Sequence, residues 1–499
     1  MPSNGLHRLS IAQLREAYAA GTTTPVDVVE SLFDAIGSDP VNAFCVLDKP
    51  AARAMAEASA ERFRQGASLS PLDGIPVSIK DLIDVAGYPT RRGSTATSDA
   101  PAAADAPSVR RLREGGALLF GKTTTSEFGW AANSESTATG VTMHPTLLGK
   151  SPGGSSCGAA AQIGRQWGPL ALGSDAGGSI RIPASFCGLV GFKPTFGAIP
   201  LGPQSAFAEF AHLTPLTRSV EDCRIAMEVL SVADPLDPHS MYPRARTGQE
   251  GRGSSAAGST GPMRSAAAAL SNGMPAGSSA PSGGTAAVSA SAAALGYCID
   301  IGPDAGLDPA IAAAVEAQVE SLRAQGYRVD AFRFDWAALA IDFWNVWLSR
   351  IHESFVTLAV HTRAQFDPRL QACFDAGASL SADTLVRSRV RLREASAELA
   401  RVFSRIDLLL TPAASSGAFD IGKLCADSHP KAADIARTHN WLLGSPYAFP
   451  FNLTQQPALA LPLGSTAHGL PFGLQIVGRK FHDDQVLAFG AQLESSHAS

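Results

Sequence analysis

Charge is scarce in this sequence: Asp, Glu, Lys and Arg make up 17% of its 499 residues, and the formal net charge is −5. No basic face can be built from that balance, which argues against nucleic acid as the main ligand. Long apolar runs are missing as well. Nowhere do ~18 uncharged apolar residues follow one another, so no membrane-crossing helix is expected. Met1–Leu9 lacks a basic stretch leading into an apolar one, so no signal peptide is expected either. The seven cysteines are Cys45, Cys157, Cys187, Cys223, Cys298, Cys373 and Cys425, an odd number with no CxxC pair. That usage fits reduced thiols in a cytoplasmic protein. There is no HExxH, and the histidines lack zinc-ligand spacing, which speaks against a metal hydrolase.

What is present is enough apolar material to make a core. Hydrophobic residues reach 45%, which excludes general disorder. Ser10–Ala20 carries Ile11, Leu14 and Tyr18 at helical spacing. Thr24-Pro25 starts a second helix, and a third, alanine-rich one is expected from about Ala51 to Gln65. Leu72–Asp81 reads as a turn leading into a short β-type run that ends on Lys80. Ser108–Glu114 reads as a helix feeding the strand Ala117–Phe120, and Leu170–Leu172 and Leu189–Phe192 are further short apolar runs beside glycine clusters. Helix and strand alternate, which favours an α/β body.

One segment breaks this texture. Of the 45 residues Gly251–Leu295, 32 are Gly, Ser or Ala and none is aromatic, so residues 246–294 read as a flexible insert in one body. Order is expected to return at the strand Gly296–Ile301. The helix Pro309–Gln325 follows, with the stripe Ile311, Val315, Val319 and Leu322, and then a long helix around Ser381–Phe403 and the strand Asp407–Leu410. Loop-closure entropy grows only slowly with length. Replacing Gly251–Ala292 with a short linker should therefore leave kcat and melting temperature nearly unchanged. A large loss of either would reveal a working lid or docking segment.

Three stretches carry chemistry. They are Gly74–Asp81 with Lys80, Ser151–Ala160 (SPGGSSCGAA), and Gly173–Pro183 (GSDAGGSIRIP). Neither glycine-rich loop fits GxxxxGK[ST] or GxGxxG, so no nucleotide cradle is indicated. Gly154–Gly158 satisfies GxSxG, but a nucleophile elbow needs a strand directly before its serine, and Ser151-Pro152-Gly153 is loop chemistry. The two loops share exposed backbone N–H groups beside small nucleophiles, as acyl transfer requires. A lysine set among Val77, Ile79, Leu82 and Ile83 can serve as base once desolvation lowers its pKa. Taken one at a time, Lys80 could instead be a surface lysine, Ser155 a turn former and Ser179 a helix N-cap.

Together the three stretches resemble the amidase signature family. The resemblance extends to Gly121-Lys122-Thr123, Gly188–Thr195, Pro457–Pro462 and Gly469–Gly478, nearly the whole chain outside the insert. It implies a single large α/β domain over residues 1–499, with a mixed, mostly parallel β-sheet flanked by helices on both faces. It implies hydrolysis of a non-peptide carboxylic amide through an acyl-enzyme. Lys80 would be the base, Ser155 the relay serine after a cis peptide bond, and Ser179 the nucleophile. The oxyanion donors would be Ala176, Gly177 and Gly178. Asp175 and Arg181 would form a supporting ion pair, and Ser174 would hydrogen-bond within its loop. Cys157 would pack. His144 and Lys150 stand where relatives often have Asn and Arg, which bears on substrate contacts.

No metal or organic cofactor is implied, the partner is a small-molecule amide, and a homodimer is the assembly to test for. Phe128, Trp130, Tyr447 and Phe449 are equally compatible with an acyl pocket and with the core. Two alternatives stand beside the amidase: the amidase subunit of a tRNA-dependent amidotransferase, and a catalytically silent binding protein on the same scaffold. The segment Ala208–Leu216 does not read as the SLDQxG of such subunits, and all three triad positions are filled.

Overall fold

Local signals set the helix ends where the sequence places them. Ser10 caps Ile11–Ala19 in a capping box with Gln13, and Thr24 caps Pro25–Ile36 in the same way with Asp27. Ser381 caps Ala382–Phe403, and in Pro309–Ala324 the buried residues are Ile311, Val315, Val319 and Leu322. The computed structural model describes residues 5–202, 205, 207–241 and 293–498.

The strands are β1 (Phe44–Leu47), β2 (Pro76–Lys80), β3 (Leu118–Thr123), the two-residue β4 (Glu135–Ser136) and β5 (Gly140–Val141), β6 (Leu170–Asp175), β7 (Val190–Lys193), β8 (His212–Thr217), β9 (Ala294–Tyr297), β10 (Arg328–Ala331), β11 (Leu408–Pro412), β12 (Ala458–Ser465) and β13 (Pro471–Gly478). Among the described residues β4 and β5 pair only with each other. The other eleven form one mixed sheet in the order β1-β3-β2-β6-β8-β7-β12-β13-β11-β9-β10.

Its parallel pairings lie in two blocks, β3-β2-β6 and β11-β9-β10, reached through helical crossovers. The expectation of a mostly parallel sheet holds for these blocks and is corrected for the rest. The other six neighbour pairs are antiparallel. The link between β12 and β13 is short, and a short link permits only antiparallel pairing.

Side chains alternate between two covered faces, as the period of two requires. Leu408 and Leu410 enter one cluster with Val77, Ile79, Leu170 and Leu172. Leu409 enters the opposite cluster, where Trp336–Phe355 contributes Trp336, Phe343 and Trp347. Helices cover both faces. The proposed insert falls almost wholly outside the described residues. Its expected end shifts slightly, because Ala293 is buried and β9 starts at Ala294, two residues ahead of the expected Gly296.

Candidate active site

Lys80 ends β2, a strand buried at all five positions, and its own side chain is fully buried. Parallel pairing of β2 with β6 brings this strand end beside Ser174. The loop before helix Cys157–Gly164 supplies Ser155 and Ser156. Lys80 Nζ then meets three hydroxyls: Ser155 Oγ at 2.7 Å, Ser156 Oγ at 2.9 Å and Ser174 Oγ at 3.0 Å. No carboxylate touches it among the described residues. Desolvation therefore dominates and lowers its pKa from 10.5 to about 7, although Cys157 and Asp175 act in the opposite direction.

The Gly154–Ser155 peptide bond is cis, as the resemblance implies. Gly154 is required here by close approach, since a Cβ would stand 1.9 Å from the Asn133 carbonyl oxygen. Ser156 N–H donates to the Ser179 carbonyl at 3.2 Å, which ties the two glycine-rich loops together. No strand directly precedes Ser156, so the elbow geometry is not met.

Ser179 lies between β6 and the short helix Arg181–Cys187, whose N-cap is Ile180 without a side-chain cap bond. Its hydroxyl is therefore not a cap, and among the described residues it makes no hydrogen bond. The loop around it is fixed by Asp175, which accepts from Gly178 N–H at 2.8 Å and Ile180 N–H at 3.2 Å. The expected ion pair is present and fully buried: Arg181 Nε and Nη2 donate to Asp175 at 2.9 and 2.8 Å. Arg181 also donates to Ala448 O, Gln475 Oε1 and Asn452 Oδ1. Burial alone would raise the Asp175 pKa, but the Arg181 charge and these bonds hold it well below the usual carboxylate range.

Leaving Arg181 buried without its counter-charge should cost about 3–5 kcal/mol. Asp175→Asn is thus expected to lower unfolding stability by that amount in a urea titration. An unchanged midpoint would show that the pair is not structural.

Two expectations need correction. Gly178 N–H is occupied by Asp175 and is unavailable to an oxyanion, whereas the amides of Ala176, Gly177 and Ser179 donate to no group among the described residues. Gly178 is instead needed for its backbone: φ is +126°, and a Cβ would press on Ala448 at 2.6 Å. Ser174 bonds outside its loop, because it sits on β6 and its hydroxyl accepts from Lys80.

Cys157 is buried beside Thr124, and burial pushes its thiol pKa up. His144 holds Phe186 O at 2.9 Å, and Lys150 pairs with Asp420. Both roles are structural.

Ser155, Ser174, Ala176 and Ser179 open onto one cavity of about 840 Å³. Of the four aromatics in doubt, Phe128 lines it. Trp130, Tyr447 and Phe449 are buried in the core. Sequence reasoning missed Phe207, Arg350 and Phe355, which line the cavity from segments far along the chain. It also gave no role to Asn452 and Gln475. A lone polar residue in an apolar stretch (Phe-Asn-Leu, Leu-Gln-Ile) was the available signal for both.

Among the described residues no helix is long and apolar enough to cross a membrane. Over its length the chain is similar to known proteins. It is 31% identical over 518 residues to a glutamyl-tRNA(Gln) amidotransferase subunit of Roseiflexus castenholzii, covering 97% of this chain and 95% of that one. It is 29% identical over 500 residues to an acylamidase of Rhodococcus erythropolis, covering 99% and 97%. A crystal structure described as an amidase superposes with a TM-score of 0.79 at 27% identity, over 98% of this chain and all of that one. The family model described as Amidase matches residues 27–264 and 286–487. With the whole fold, both glycine-rich loops and the buried lysine in agreement, the chain belongs to the amidase signature family.

Proposed function

We propose that this protein hydrolyses a carboxylic amide to the acid plus ammonia or an amine, using Ser179, Ser155 and Lys80. The observation that carries the reading is the buried Lys80, bonded to Ser155 at 2.7 Å in the cavity that Ser179 also lines. A neutral amine has one lone pair and two N–H donors. Surrounded by three hydroxyls, it can accept the Ser155 proton while donating to Ser156 and Ser174. Ser155 in turn takes the Ser179 proton as Ser179 Oγ attacks the amide carbon. Ser179 Oγ makes no hydrogen bond among the described residues, so its bond to Ser155 forms as substrate fills the cavity. The free amides near Ala176 and Gly177 suit the oxyanion. The proton returns through Ser155 to the departing nitrogen, and water then cleaves the acyl ester by the same route. The seven free thiols support a reducing, cytoplasmic setting.

Screening amides of graded size for ammonia release tests this reading, and no turnover of any of them would refute it. The active species is neutral Lys80, so the sign is fixed: the rate should rise with pH through a midpoint near 7, where the lysine loses its proton. His144 and His212 are both buried in backbone contacts outside the cavity. Replacing either should leave this limb in place. A limb that vanished with one of them would transfer the titration to histidine.

A second reading, the amidotransferase component, is favoured by the likeness to the Roseiflexus protein over nearly the full length. The divergent stretch after the nucleophile bears on it directly, since Ala208 and Ala211 line the cavity. Co-purification of partner subunits would select that reading, and turnover by the isolated chain would select the first.

A further inference from the structure

Four charged residues line the cavity: Asp84, Arg92, Arg350 and Glu353. Arg350 is held between Glu209 at 2.7 Å and Glu353 at 2.8 Å, so two of the four are neutralised where they stand. Arg92 is different. Among the described residues its guanidinium has neither a carboxylate within 4.0 Å nor a hydrogen-bond acceptor, although Asp84 lines the same cavity. Its neighbour Arg91 does have a partner, Asp99.

Arg92 is also held in an unusual backbone state. Its φ is +53°, in the left-handed region that a residue with a side chain rarely adopts. Arg92 N–H donates to Asp81 O at 3.0 Å, one residue beyond Lys80, and Arg92 O accepts from Phe128 N–H at 2.7 Å. Phe128 has φ +51° and lines the cavity too. Two left-handed residues thus brace each other between the lysine strand and the cavity wall. Such strain persists where the surroundings enforce it, and it clusters at ligand sites.

Resting on the amidase reading, we infer that Arg92 is a specificity-determining residue, selecting amides whose acyl part carries a carboxylate remote from the scissile bond. The guanidinium fork pairs bidentately with a carboxylate. The apolar wall (Leu82, Phe128, Leu201, Phe207, Phe355, Leu358) suits the hydrocarbon between the two ends.

The test compares straight-chain ω-carboxy amides with neutral amides of equal length. In the wild type at least one carboxylate member should exceed its neutral counterpart in kcat/KM by about tenfold or more, as a charge-assisted bond gives. Arg92→Gln should reduce that ratio to near one, mainly through KM, and Arg92→Lys should restore part of it. A wild type that favours the neutral amides would overturn the inference, as would a ratio that Arg92→Gln leaves unchanged. Calorimetric titration of Ser179→Ala protein with a dicarboxylate and with the matching monocarboxylate needs no turnover. Tighter dicarboxylate binding that Arg92→Gln abolishes would uphold the subsite even if no amide is cleaved. Equal binding of the two acids would defeat it while leaving the amidase reading intact.

Discussion

Replacing Lys80 with alanine should lower kcat by roughly 10²–10⁴-fold, the usual worth of a positioned general base. Ser155, Ser156 and Ser174 all lose a common partner in that variant, and Ser155 and Ser179 keep their protons near neutral pH. The informative comparison is Lys80→Arg. Guanidinium keeps its proton above pH ~12 and cannot accept another, so this variant should be nearly as impaired as Lys80→Ala. Its larger head also has to enter a site with no exposed surface. Melting curves separate misfolding from lost chemistry, and a folded Lys80→Arg protein with most of its activity would remove the proton relay from the mechanism. Wild-type activity rising through pH 7 and both variants flat at the same pH values would complete the assignment.

Ser179→Ala should bring a still larger loss, on the order of 10⁶-fold, because a missing nucleophile disables the whole unit. Stability should hardly move. Ser179 is buried, but its Oγ makes no hydrogen bond among the described residues, so its removal strands no partner and takes away only one small polar atom. A large fall in melting temperature would place Ser179 in the architecture instead. Asp175→Asn should behave in the opposite way and weaken the fold, since Asp175 holds Gly178, Ile180, Arg181 and Asn452 together.

The chemistry was more legible in the sequence than the pocket. Lys80 declares itself because a cation closes a largely apolar β run, and such a charge is buried only with a purpose or a partner. The two glycine-rich loops could be paired with it only through the family resemblance. Periodicity gave Pro309–Ala324 almost to the residue, since amphipathic spacing is a local property.

What could not be read depends on contacts distant in sequence. The cavity wall joins Phe128 to Phe207, Arg350 and Phe355, and nothing local in those segments announces a shared neighbour. The Gly178 amide is a local exception: a glycine near a nucleophile looks free until the Asp175 carboxylate, three residues back, is seen to fill it. Sheet order is likewise set by distant pairings that no local signal reports: β7 pairs with β12, more than two hundred residues away.

Acylation of Ser179 is the central claim, and trapping it is the most direct test. Wild-type protein is treated with an activated serine-directed probe, digested and read by tandem mass spectrometry. One adduct is expected, on Ser179, lost in Ser179→Ala and much slower to form in Lys80→Ala. An adduct on Ser155 or Ser156, retained when Ser179 is alanine, would contradict it.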